Sequence, residues 1–129
     1  MAGSILSDAT SGRGTVRDQP FVLHADTPWV SVGVGVRRQI LAHAADLMLV
    51  RVEFAQGAVG ALHHHPHRQI TWVANGQFRV QLGDVTRTLV AGDCFLALAN
   101  VPHSVVALEA GTLLDSFTPA REDFVAAQA

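Results

Sequence analysis

From about residue 28 onward the chain is cut into short apolar or alternating segments separated by Gly, Asn, Asp and Pro, and nothing between residues 28 and 118 sustains a helical period. Such spacing predicts an all-β sandwich or barrel. From Asp46 to Phe54 the alternation is clean, with Met48, Val50, Val52 and Phe54 on one face and Leu47, Leu49, Arg51 and Glu53 on the other. A period of two with one apolar side marks a strand with one face in the core. Asn75-Gly76 lies between Ile70-Thr71-Trp72-Val73 and Phe78-Arg79-Val80-Gln81-Leu82. It predicts a hairpin, because both residues accept the positive φ of a type I′ turn. Gly83-Asp84 predicts the next reversal, with further strands over Val85 to Val90, Cys94 to Leu98, His103 to Glu109 and Thr112 to Phe117. A helical turn or two is expected within Arg121 to Ala127.

The chain of 129 residues is long enough for one domain with a proper core. We expect a flexible N-terminal tail over residues 1–20 and a β-barrel domain over residues 21–129. Met1 to Gly14 is rich in Ser, Gly, Ala and Thr and lacks the pattern of a secretory signal, so a cytoplasmic location is expected. Cys94 is the single cysteine, which excludes an intrachain disulfide, and its apolar run predicts a buried thiol. All nine basic residues are Arg and Tyr is absent, which excludes Schiff-base lysine and tyrosine-acid chemistry. A net charge of −2 without a basic stripe gives no footprint for nucleic acid, and no apolar run reaches membrane-spanning length. The expected partner is a small molecule.

Four of the seven histidines fall in His63-His64-His65-Pro66-His67-Arg68-Gln69, and His103 follows some forty positions later. If residues 62 to 73 are extended, His63, His65, His67 and Gln69 share one face. In a closed or sandwiched sheet His103, opening another strand, can meet them across the interior. Three imidazoles and an amide oxygen would then hold a divalent metal with positions left open for water or substrate. The run also reads as a solvated loop that chelates metal adventitiously. His64 lies on the opposite face, and His67 is assigned to supporting or substrate contact rather than ligation. His24 and His43 read as surface or satisfied core residues.

Residues Gly57 to Gly76, containing the histidine run, resemble the first cupin motif. Gly83 through Gly92-Asp93 to Val101-Pro102-His103-Ser104-Val105-Val106 resembles the second. The resemblance spans residues 29 to 124 and implies a small double-stranded β-helix, the cupin jelly roll, with a metal inside one end. The ligands it implies are His63, His65, Gln69 and His103, and the ion a transition metal such as Zn, Ni, Mn or Fe. Many cupins have Glu at the position of Gln69. One ligand charge fewer leaves the ion more Lewis-acidic, which suits polarising a hydroxyl or carbonyl without redox change.

Three further stretches resemble the KdgF branch of the single-domain cupins, a pectin-degradation type. They are Gly35 to Leu41, Leu47 to Val52, and Leu113-Leu114-Asp115-Ser116-Phe117-Thr118-Pro119-Ala120-Arg121-Glu122-Asp123-Phe124. This resemblance implies a metal-dependent isomerase that opens and ketonises a 4,5-unsaturated uronate, with Asp115, Phe117 and Arg121 as the matching site positions. Asp115 and Phe117, two apart on a strand, can face one cavity, the carboxylate moving a proton. Arg121 can fork onto a substrate carboxylate, and Phe117 can offer an apolar face to a sugar ring. Read without the resemblance, Asp115 and Arg121 also suit a surface ion pair, Phe117 the core, and Arg121 the end of the terminal helix. Arg38 is a weaker substrate-contact candidate, Arg37 and Arg51 suit solvated or interfacial positions, and Trp72 suits core or dimer packing.

Two other functions stay open: a cupin dioxygenase or lyase acting on another small molecule through Fe or Mn, and a sugar-binding module without turnover. A homodimer is expected, with the edge strand near Trp29 to Val36 the first candidate for its interface.

Overall fold

The described part of the chain, residues 15–128 of a computed structural model, carries eight strands and a short helix. The strands are β1 (Val30–Gly33), β2 (Val36–Ala44), β3 (Leu47–Phe54), β4 (Val59–His63), β5 (Arg68–Leu82), β6 (Val85–Val90), β7 (Cys94–Ala97) and β8 (His103–Thr118). The helix is α1 (Glu122–Ala127), preceded near the start of the domain by a 3-10 turn at His24–Asp26. None of the helices described is long and apolar enough to cross a membrane.

The barrel arises because β5 and β8 each serve two layers. The first half of β5, through Asn75, pairs with β7 and with the second half of β8; β8 pairs with β3, β3 with β2, and β2 with β1. The second half of β5 pairs with β6 and with the first half of β8, which pairs with β4. All pairings are antiparallel, and β1 is an edge, as its sequence suggests. The all-β expectation is met in the form of a jelly-roll barrel.

Asn75-Gly76 is not a hairpin. It lies inside the single strand β5, where the ladder to β8 shifts register at Asn75 and again at Gln77. Gly76 has φ +88°, and a Cβ there would sit 2.7 Å from the Ala110 carbonyl oxygen, while one on Gly111 would collide with the Asn75 carbonyl. The left-handed residue that sequence assigns to a turn serves instead to bend a continuous strand from one layer into the other. The expected strands at His103 to Glu109 and Thr112 to Phe117 are likewise one bent strand, β8. The reversal at Gly83-Asp84 does join β5 to β6, with Gly83 at φ +59°.

The alternation of β3 holds in space. Met48, Val50, Val52 and Phe54 point into a core completed by Val36, Ile40, Val73, Phe78, Val80, Ala107, Leu113 and Phe117. Each large apolar side chain so buried contributes about 1.5–3 kcal/mol relative to exposure, and Phe54 meets Phe78 edge to face at 5.3 Å. Cys94 is exposed, contrary to the sequence expectation. Along β7 the alternation sends Phe95 and Ala97 inward and leaves Cys94 and Leu96 outside. Trp72 is also outside rather than in the core, with its indole N–H donating to the Gly92 carbonyl.

Of the expected tail, residues 1–14 lie outside the described residues. Thr15 donates its hydroxyl to the Ile40 carbonyl and Asp18 its amide to the His43 carbonyl, so this stretch runs along β2.

Candidate metal centre and cavity

The histidine run is not one extended strand. β4 ends at His63, residues 64–67 form a bend, and β5 begins at Arg68. The bend folds His65 back toward the end of β4, so His63, His65 and His103 still converge. His63 and His103 are direct register partners on neighbouring strands, not residues facing each other across the interior. Their ring centroids are 4.4 Å apart, His65 stands 4.9 Å from His103 and 5.5 Å from His63, and the three possible ligand nitrogens lie within 4.8 Å of one another.

Backbone carbonyls set the tautomers. The Nδ1–H of His63 donates to Ala61 O at 2.8 Å, that of His65 to His67 O at 3.0 Å, and that of His103 to Val101 O at 2.9 Å. Each ring therefore presents an Nε2 lone pair, the usual second-sphere arrangement of a metal-ligating histidine. Two details show that a cation fits. The buried Nε2 of His103 has no partner. The Nε2 of His65 lies 2.9 Å from Gln69 Oε1, so in the neutral ring two acceptors face each other. Burial pulls the His65 and His103 imidazoles below their ordinary pKa, which favours that neutral form. His63, His65, His103 and Gln69 are the residues that would hold the ion.

Gln69 also begins a chain of hydrogen bonds toward Asp115. Its Nε2 donates to Thr71 Oγ1 at 2.8 Å, and the Thr71 hydroxyl donates to Asp115 Oδ1 at 2.7 Å. With the amide nitrogen turned to Thr71 it can only donate, so the single hydroxyl proton is directed to the carboxylate. The same constraint turns the amide oxygen toward the imidazoles. Asp115 lies between Val50 and Thr71 in the sheet, facing inward. Desolvation pushes its carboxyl up to about 6, partly offset by the Thr71 hydrogen bond and by Arg121. Sequence reading did not single out Thr71, although its place two residues beyond Gln69 on one strand face was the available signal.

Phe117, 2% exposed, stands with its ring 5.8 Å from His65 and 5.6 Å from Phe124. Arg121 does not pair with Asp115. Its Nε and Nη2 grip both oxygens of Asp123 at 3.0 and 2.9 Å, holding that carboxyl below the usual range. The Arg121 guanidinium also lies 4.0 Å from the Phe124 ring centre. These groups close a cavity of about 150 Å³ lined by His63, Gln69, His103, Asp115, Phe117 and Arg121, with Arg38 on its wall. A larger open groove of about 620 Å³, bordered by Gly35, Phe54 and Gly111, carries none of the histidines.

The remaining histidines take other places. His64 is exposed. His67 supplies the carbonyl that orients His65 and places its ring 6.4 Å from Phe117. His24 hydrogen-bonds Gln39 Oε1 at 2.9 Å, and His43 is buried on β2.

Residues 50–116 match the Cupin domain family. The chain is 43% identical over 107 residues to the pectin degradation protein KdgF of Dickeya dadantii (strain 3937), across 81% of this chain and 97% of that protein. The structure of KdgF from Halomonas sp. superposes with a TM-score of 0.79 at 41% identity, covering 82% of this chain and 98% of that one. An RmlC-like cupin from Shewanella frigidimarina gives a TM-score of 0.82 at 37% identity, covering 85% and 99%. With this architecture and this similarity along most of its length, the chain belongs to the cupin family and, within it, to the KdgF group.

Proposed function

We propose that this protein is a metal-dependent, non-oxidative isomerase of pectin breakdown that opens and ketonises a 4,5-unsaturated uronate. One observation carries the reading: the Asp115 carboxyl, held by the Thr71 hydroxyl, lines one small cavity with His63 and His103, two of the three convergent imidazoles. Similarity to the pectin degradation protein KdgF supports a pectin-derived sugar as the substrate class.

A divalent ion on the imidazoles and Gln69 would supply Lewis acidity toward a sugar hydroxyl or developing enolate oxygen. The proton work falls to Asp115. Ring opening leaves an enol, whose hydroxyl proton the carboxylate accepts and returns to the neighbouring alkene carbon, so that C=C becomes C=O and C–H without net oxidation. A group with a pKa near 6 can both take and give that proton near neutrality. Phe117 keeps water from one side of the cavity, and Arg121 places positive charge on the side where a substrate carboxylate would lie.

The test is to follow ultraviolet absorbance of the unsaturated uronate, identify the product by carbon NMR, and record oxygen uptake with added Fe(II). Loss of the alkene signal to a ketone without oxygen consumption supports the isomerase. Stoichiometric oxygen uptake indicates a dioxygenase, and binding without turnover a sugar-binding module.

We also propose a homodimer. Beyond the β1 edge, the outer face presents Leu49, Ile70, Trp72, Leu96 and Leu98, each more than a third exposed and brought together by the β3–β8–β5–β7 pairings. A second copy covering this apolar face would remove it from water. Sedimentation of the wild type against Trp72→Lys tests this, with a monomeric wild type counting against it.

A further inference from the structure

We infer that Arg38 is a specificity-determining residue of this site, the guanidinium that receives the carboxylate of the substrate; this rests on the reading of a carboxylated sugar as substrate. Arg38 occupies an inward position of β2, on the same strand face as the core residues Val36 and Ile40. Its side chain lines the cavity that also holds His63, His103 and Asp115. A cation on a core-facing position is costly unless something pairs with it.

Among the described residues nothing does. Arg38 makes no hydrogen bond or ion pair, and its Nε is sealed from solvent without a partner. Its guanidinium stacks on the Phe124 ring, whose centre lies 3.7 Å from the guanidinium carbon. A ring stacked on a guanidinium covers a face and leaves the in-plane N–H donors available.

The charges around it leave Arg38 unpaired. Two guanidiniums, Arg38 and Arg121, lie against Phe124, and the neighbouring carboxylate, Asp123, has both oxygens engaged by Arg121. The other acid of the cavity, Asp115, accepts the Thr71 proton on Oδ1. Arg121 thus keeps only part of its donor set for a ligand, whereas Arg38 offers an unengaged fork. A planar carboxylate entering the cavity satisfies that fork bidentately. Burial already pulls the Arg38 pKa down from its ordinary value, with Asp123 offsetting only part of the effect and Arg121 adding to it.

The experiment uses calorimetric binding of galacturonate and of galactose, as saturated acid and neutral probes, to the metal-loaded full chain. It compares the wild type, Arg38→Met and Arg38→Lys, with thermal melting to check folding. The wild type is expected to prefer galacturonate. Arg38→Met should lose about 10- to 100-fold in galacturonate affinity while galactose binding changes little. Arg38→Lys, which keeps the charge but not the fork, should lose several-fold, and it serves as the informative variant if Arg38→Met does not fold. Unchanged galacturonate affinity in a folded variant, an equal loss for both sugars, or no acid preference in the wild type overturns the assignment. Because these readings need no turnover, absence of ketonisation by the wild type bears on the proposed reaction and not on Arg38.

Discussion

The Thr71 hydroxyl lies 2.7 Å from Asp115 Oδ1, and its proton can go nowhere else, because the Gln69 amide already donates to the same oxygen. One side chain therefore fixes both the acceptor role of the carboxylate and the outward turn of the amide oxygen toward the imidazoles.

Replacing Thr71 by Val keeps the shape and removes the hydroxyl, leaving a buried amide N–H and a carboxylate without partners. Turnover is expected to fall about tenfold or more, and affinity for the divalent ion to weaken as the amide loses its anchor. Thr71→Ser should retain most of both. Steady-state rates and metal titration check this; a Val variant equal to the wild type in both would remove Thr71 from the site.

Gln69→Glu adds a ligand charge and should tighten binding of the divalent ion. It also replaces a donor by an acceptor, so two carboxylates compete for the single Thr71 proton. Metal affinity should therefore rise while kcat falls, which metal competition and kinetics read separately.

The raised pKa of Asp115 has a defined sign in stability. A carboxyl shifted from its ordinary value of 3.8 to about 6 in the fold stabilises the protein, relative to one that is unshifted, only while protonated. That contribution is present below about pH 4 and is lost as pH rises through 6. Asp115→Asn carries no such dependence, so it should gain on the wild type between pH 4 and pH 7, by on the order of 2 kcal/mol. Thermal or urea unfolding across that range reads the difference directly; parallel curves would contradict the shift.

The metal centre is tested by elemental analysis after gel filtration. His63→Ala, His65→Ala and His103→Ala should each lose the ion, whereas His64→Ala, at an exposed position in the same run, should retain it. Equal loss from all four would mean the run chelates as an unstructured tract.

Much of this was legible because the period-two alternation of β3 and the Gly/Asp punctuation report local backbone geometry, which tertiary packing left intact. The errors share one cause. A left-handed glycine has the same sequence appearance in a hairpin and in a bend, and only the close approach of Gly76 to Gly111 on another strand distinguishes them. An apolar run reads as core for Cys94, and for Trp72 leaves core and dimer packing both open, whereas strand pairing decides which face is outside. The histidines converged despite the broken strand, since the bend at residues 64–67 returns His65 to the same end of the barrel. The Arg121–Asp123 pair and the isolation of Arg38 depend on how α1 covers the cavity, which no local pattern specifies.

The most direct test of the central claim compares metal-loaded wild type with metal-loaded Asp115→Asn on the 4,5-unsaturated uronate, following the alkene absorbance at pH 7. Ketonisation well above the spontaneous rate is expected for the wild type and a loss of about 10²- to 10⁴-fold for the variant, with uronate binding nearly intact. An Asp115→Asn protein that binds metal and substrate and turns over at the wild-type rate would contradict it.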